Sequence, residues 1–324
     1  MNYNLKIVLS VSIVFAISLS FLMAFLTLSV SEVEIYELQN KFYSKDFSSD
    51  VDKIFIIGAS QTASLNATYI EHQIKKSNYD YDVYNLSIIS DRPITRLQTL
   101  DEIISMNPSL VVYGVGFLEF ENLKRPLVEK PESIFPDPEE FFRDQINLQD
   151  SDFLNSLQSP KFITLQTIRD VFFEDEKKNL YLDESTPFFT YDLDKKRRIV
   201  DLDDLRIKAE LKQFNGIKPL DRNPEVPALQ KIIKKFNENE IKVILISCPF
   251  PKPYFEFMPD YYEERLNSII DLTEDASNKN YYSFLHEYEN MNIWSDLHHV
   301  SINDNVKIFN DDIVEIILKE IPST

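Results

Sequence analysis

Three residues near opposite ends of the 324-residue chain have the types and setting for covalent acyl chemistry: Ser60, Asp296 and His299. A serine hydroxyl is a weak nucleophile until an imidazole takes its proton, and a carboxylate on the far ring nitrogen keeps that imidazole in the useful tautomer. Ser60 stands in Ile57-Gly58-Ala59-Ser60-Gln61-Thr62, directly after an apolar, strand-like run. Asp296 and His299 stand in Trp294-Ser295-Asp296-Leu297-His298-His299-Val300-Ser301, ahead of a final amphipathic segment. A spacing of three across a turn lets the carboxylate reach the His299 ring while the other nitrogen faces a serine elsewhere. His298 could fill that part only with a different carboxylate geometry.

Each of these residues also has a plainer reading. A serine after a strand commonly caps the helix that follows. Two histidines beside an aspartate also suggest a metal, but His72 and His286 fall on other elements and no further clustered ligand is evident. Neither a metal nor another cofactor is therefore expected. Cys248 is the single cysteine, which excludes an internal disulfide, and at a strand end it reads as apolar filler rather than nucleophile. Phe250, Tyr254, Phe255 and Phe257 follow that strand and are read either as a sugar-stacking wall or as ordinary packing.

The elements that must bring the serine and the histidine together are short apolar runs alternating with helical periodicity. Lys53 to Gly58, Asp82 to Leu86, Leu110 to Val115, Lys242 to Ser247 and Tyr281 to Leu285 have strand length and are rich in Val, Ile, Tyr or Phe. Helical periodicity covers roughly Ala63 to Lys76, Ile94 to Met106, Val226 to Asn239, Tyr261 to Asn278 and Asp304 to Glu320. Alternation of this kind predicts an α/β fold, a parallel five-stranded sheet with helices on both faces. Ligands of such sheets bind beyond the carboxyl ends of the strands. Ser60 follows the first predicted strand and the Asp296–His299 segment follows the last. Of only four glycines, Gly58, Gly114 and Gly116 stand at predicted strand ends, where a tight turn or close approach calls for them.

A stretch from about 120 to 224 breaks the rhythm and is read as a mostly helical insertion, either a roof over the site or a solvated elaboration. At the other end, Ile7 to Ser31 contain no charged side chain, enough to cross roughly 30 Å of hydrocarbon. Lys6 precedes this run, and Glu32, Glu34 and Glu37 follow it. Residues 1–31 are thus expected to form a single-pass anchor in the cell membrane, 32–52 a linker, and 53–324 an extracytoplasmic domain. A cleaved signal peptide is the competing reading, although its apolar region usually spans only ~7–15 residues. The net charge of −19 argues against a nucleic-acid partner, which needs clustered cations.

With these residues in view, the chain resembles the SGNH/GDSL hydrolase superfamily, particularly membrane-anchored branches that act on cell-surface polymers. Gly58-Ala59-Ser60 matches the first block of that superfamily, and Asp296 with His299 matches the last. Tyr84 to Ser90 resembles the second block with Ser90 in place of the usual glycine. Val112 to Leu118 resembles the third, with Phe117 or Leu118 where an asparagine is usual. The resemblance implies a flavodoxin-like sheet, a Ser60–His299–Asp296 triad, and oxyanion or substrate contacts at Gln61, Ser90 and Gly116. Loss of the asparagine removes an oxyanion donor worth ~2.7–4 kcal/mol in a hydrolase. The implied activity is an acyl-enzyme on Ser60, passed to water by an esterase or to a sugar hydroxyl by an acyltransferase. Its substrate would be an acylated surface glycan or a small acyl ester, and a transferase would need a membrane acyltransferase partner to supply the acyl group. The alternative is a catalytically weak SGNH-like module that binds a surface glycan or a membrane partner.

Overall fold

A computed structural model of the chain describes residues 51–122, 193–273 and 280–322, together with isolated positions 15, 18, 42, 45, 47 and 185–188. The chain divides into two compact units, and the sheet lies in the one formed by Lys45–Asp137 and Lys178–Thr324. The other, Met1–Ser44 with Pro138–Lys177, falls almost wholly outside the described residues. So do nearly all of the apolar run expected to cross a membrane and much of the expected insertion. Among the described residues no helix is long and apolar enough to span a bilayer.

Five strands form the sheet: β1 (Asp52–Ile57), β2 (Tyr81–Asn85), β3 (Leu110–Val115), β4 (Lys242–Ser247) and β5 (Tyr281–Ser283). They pair in parallel in the order β2-β1-β3-β4-β5. All six residues of β3 are buried, as is every residue of β1 except the first. A strand covered on both faces has no polar side to show, so its sequence reads as a continuous apolar run rather than an alternation.

Among the described residues the helices of this unit are α1 (Ala67–Lys76), α2 (Pro93–Gln98), α3 (Leu100–Ser105), α4 (Phe117–Phe120), α5 (Leu193–Arg197), α6 (Leu202–Glu210), α7 (Glu225–Glu238), α8 (Lys252–Phe257), α9 (Tyr261–Thr273) and α10 (Ile308–Glu320). α10 packs beside α1, while α7 packs beside α2 and α9. The first crossover leaves β1 in one direction along the sheet and the later ones run in the other. Right-handed connections of both senses put helices on both faces and place the reversal point between β1 and β3. Ser60 leaves β1 at that point.

Helix ends differ from the periodicity in ways the side chains explain. The helix expected from Ala63 begins at Ala67 after a 3-10 turn at Thr62–Ser64, because the Asn66 side chain caps it by accepting from the Tyr69 N–H at 2.9 Å. The helix expected over Ile94 to Met106 is two, α2 and α3. At their junction the Thr99 hydroxyl donates to the Arg96 carbonyl at 3.2 Å. The last helix starts at Ile308 rather than Asp304, since the Asn303 side chain takes the Asn305 N–H in a turn of its own. The last residues of the segment expected to run to Asn278 lie outside the described ones.

Past the carboxyl ends of β3 and β4, Phe117, Phe250, Tyr254 and Tyr262 form one aromatic cluster, with Phe250 and Tyr254 centroids 4.3 Å apart. Phe250 and Tyr254 are fully buried, so the sequence's choice between a sugar-stacking wall and packing is settled for them as packing.

Candidate active site

The turn that carries Ser60 is held from below. Gly58 has φ +143°, which a side chain rarely adopts, and a Cβ there would stand 2.7 Å from the Gly114 carbonyl. A Cβ on Gly114 would meet Thr62 Cγ2 at 1.9 Å. Two strand-end glycines thus make room for Thr62, whose hydroxyl donates to the Ala59 carbonyl at 2.8 Å and meets the Ser87 hydroxyl at 2.8 Å. Asn85 at the end of β2 donates to the Thr62 and Leu65 carbonyls at 2.9 and 2.8 Å. The β1 turn and the loop after β2 are therefore one hydrogen-bonded unit.

The histidine segment is a tight loop closed by an antiparallel bridge between Trp294 and Val300 and by the Ser295 N–H donating to the His299 carbonyl at 3.0 Å. Asp296 Oδ1 accepts the backbone N–H groups of His298 and His299 at 2.9 and 3.1 Å, and it lies 2.7 Å from His299 Nδ1. His299 Nε2 lies 2.8 Å from Ser60 Oγ. Residues 239 positions apart are thereby joined in one hydrogen-bonded row, Asp296–His299–Ser60, at the carboxyl end of the sheet. Burial alone would push the Asp296 carboxyl up. The His299 ring and the Lys196 ammonium outweigh it and hold the carboxyl well below the usual range, so it is ionised at any working pH.

Lys196 belongs to this row although no sequence pattern named it. Its Nζ lies 2.7 Å from Asp296 Oδ2 and 2.9 Å from His299 Nδ1. Its carbonyl accepts from the Ile302 N–H and the Ser301 hydroxyl, each at 3.1 Å, which ties the end of α5 to the loop that bears the histidine. The available signal was Lys195-Lys196-Arg197-Arg198, four successive cations in a strongly acidic chain.

Gln61, Ser90 and Gly116 sit in three different situations. The Gln61 side chain is buried, and its amide donates to the His298 carbonyl at 3.0 Å, bracing the histidine loop rather than facing open solvent. Ser90 is exposed at φ 59°, a left-handed conformation in which glycine is at ease, where the resemblance expects glycine. Gly116 precedes α4, and the point where its Cβ would stand is 3.2 Å from both Gln61 Oε1 and Glu119 Oε2. Both of those oxygens are buried with no hydrogen-bond partner of their own. Burial pushes the Glu119 carboxyl up to about 7, partly offset by its own N–H, that of Gly116 and the Arg92 charge. Burial, with the Lys212 charge, pushes the neighbouring His298 down to about 3, so this ring stays neutral.

Among the described residues Asp296, His298 and His299 have metal-ligand spacing, their ligand atoms lying within 4.8 Å of one another. His299 directs one nitrogen at Ser60 and the other at Asp296, and Asp296 Oδ2 already holds the Lys196 ammonium. A divalent ion there would have to displace an existing cation.

No family model matches the chain, and no curated protein matches it. Among solved structures it is similar to TesA, at 12% identity and TM-score 0.39 over 83% of this chain and 97% of that one. It is also similar to the psychrotrophic esterase EstA from Pseudoalteromonas sp., in a structure inhibited by monoethylphosphonate, at 12% identity and TM-score 0.41 over 83% and 97%. The acetyl xylan esterase AlAXEase is similar at 12% identity and TM-score 0.39 over 83% and 100%. Likenesses this loose carry no chemistry across. The chemistry rests on the geometry of Ser60, His299, Asp296 and their neighbours.

Proposed function

We propose that the protein is an SGNH-type serine acyl-ester hydrolase or acyltransferase with Ser60 as nucleophile, His299 as general base and Asp296 as its orienting carboxylate. The observation that carries the reading is the 2.8 Å contact of His299 Nε2 with Ser60 Oγ, backed by Asp296 at 2.7 Å on the opposite ring nitrogen. In the reactive tautomer Nε2 takes the serine proton, Oγ bonds to the ester carbonyl carbon, and the Asp296 carboxylate stabilises the imidazolium. Collapse of the tetrahedral intermediate gives that proton to the leaving alcohol and leaves the acyl group on Ser60. Water, or a sugar hydroxyl in a transferase, then attacks the acyl-enzyme with His299 again as base. As substrate we propose an acylated cell-surface glycan, with the domain held at the outer face of a membrane by residues 7–31.

The test is hydrolysis of short-chain nitrophenyl esters by the full-length protein in mild detergent, followed by acetyl release from acetylated polysaccharides. Ser60→Ala and His299→Ala should abolish turnover, and Asp296→Asn should lower kcat on the order of 10⁴-fold, as expected when the orienting carboxylate becomes an amide. Turnover that survives Ser60→Ala would remove the proposal. The binding-module alternative is favoured by one feature, the Glu119 carboxyl facing the Gly116 N–H beside the position where an oxyanion-donating asparagine is expected. Glycan binding by a folded protein without turnover would select it.

A further inference from the structure

His299 Nδ1 has one in-plane position, which is either a lone pair that accepts or an N–H that donates. Two neighbours make opposite demands on it: Asp296 Oδ1 at 2.7 Å needs a donor, and the Lys196 ammonium at 2.9 Å needs an acceptor. Oδ1 also accepts two backbone N–H groups, so it depends less on the ring proton than an oxygen with no other donor would. The ammonium directs one proton at Asp296 Oδ2 and faces Nδ1 with another. We propose that Lys196 sets the tautomer of His299: in the resting protein the ammonium donates to Nδ1, the ring carries its proton on Nε2, and Nε2–H donates to Ser60 Oγ.

A ring in that state cannot accept the serine proton. The reactive tautomer forms when the ammonium turns wholly onto Asp296 Oδ2. Nδ1 then takes a proton from solvent and shares it in a hydrogen bond with the Asp296 carboxylate, while Nε2 releases one to solvent, and the net charge is unchanged. The Lys196 backbone is fixed to the histidine loop through Ser301 and Ile302, so only the side chain has to move. Lys196 touches no reacting atom and acts through the histidine, which makes it a positioning residue. The inference rests on the proposed role of Ser60, but its signature is separable from activity.

The experiment is ¹⁵N imidazole spectroscopy of the full-length protein in detergent, with the His299 signals assigned by their loss in His299→Ala, alongside the rate of fluorophosphonate labelling. The parent should show the Nε2–H tautomer and Lys196→Met the Nδ1–H tautomer. Labelling of Lys196→Met should be about tenfold faster or more, part of the ~10²–10⁴-fold that a positioned base supplies. A parent already in the Nδ1–H form, a tautomer unmoved by Lys196→Met, or slower labelling of that variant overturns the inference. A tautomer that moves as expected with no labelling of either protein supports the role of Lys196 and overturns the acyl-enzyme.

Discussion

Replacing Glu119 by glutamine should make the protein more stable in mild alkali and leave it nearly unchanged in acid. The carboxyl is 4% exposed and titrates near 7 instead of 4.5, chiefly because its charged form is cut off from water. At about 1.4 kcal/mol per pH unit, that difference is worth about 3 kcal/mol. The sign follows from which state holds the proton more tightly. The folded protein does, so the stability from this group is complete below about 4.5, falls as pH rises through about 7, and is absent above that. Glutamine has the same shape and no charge, so it removes the titration while filling the same buried space. Urea unfolding of parent and Glu119→Gln at pH 5 and pH 8.5 measures the effect as the difference between the two proteins. The variant should gain about 3 kcal/mol over the parent at the higher pH. An equal difference at both pH values would refute the reasoning.

Two other perturbations act on the parts that hold the site in place. Arg96→Met should cost about 3–5 kcal/mol, because it leaves the buried Asp91 carboxylate, now 2.7 Å from Arg96 Nε, without its counter-charge. Denaturant unfolding should show that loss shrinking toward acid pH, where Asp91, its carboxyl already raised by burial, can protonate; a loss independent of pH would contradict it. Gly114→Ala should cost about 1–3 kcal/mol or more by pushing Thr62 out of the space a Cβ would enter, and it should slow Ser60 labelling because Thr62 holds the Ala59 carbonyl. Wild-type stability of Gly114→Ala would show that the turn has slack that the geometry denies.

The sheet was legible because burial on both faces writes strands such as Leu110–Val115 as unbroken apolar runs, and the same pattern placed Ser60 at a carboxyl edge. Helix ends were not, since Asn66, Thr99 and Asn303 redirect the backbone through side-chain hydrogen bonds that periodicity does not register. Ser60, Asp296 and His299 were found from local motifs, whereas Lys196 and Glu119 matter only through tertiary contacts. Lys196 reaches the histidine across a sequence separation of 103, from a segment with no counterpart in the motifs. The Gln61 side chain donates to the His298 carbonyl, a commitment visible only once the two loops are folded together, and it leaves the Gln61 backbone N–H as the group an oxyanion contact would use.

Activation of Ser60 by His299 is read out by intact-mass analysis of the full-length protein after fluorophosphonate treatment. One adduct, mapped to Ser60, is expected in the parent and in Lys196→Met and should be missing from Ser60→Ala and His299→Ala. A folded parent and a folded Lys196→Met that both stay unlabelled, or an adduct that persists in Ser60→Ala, would contradict it.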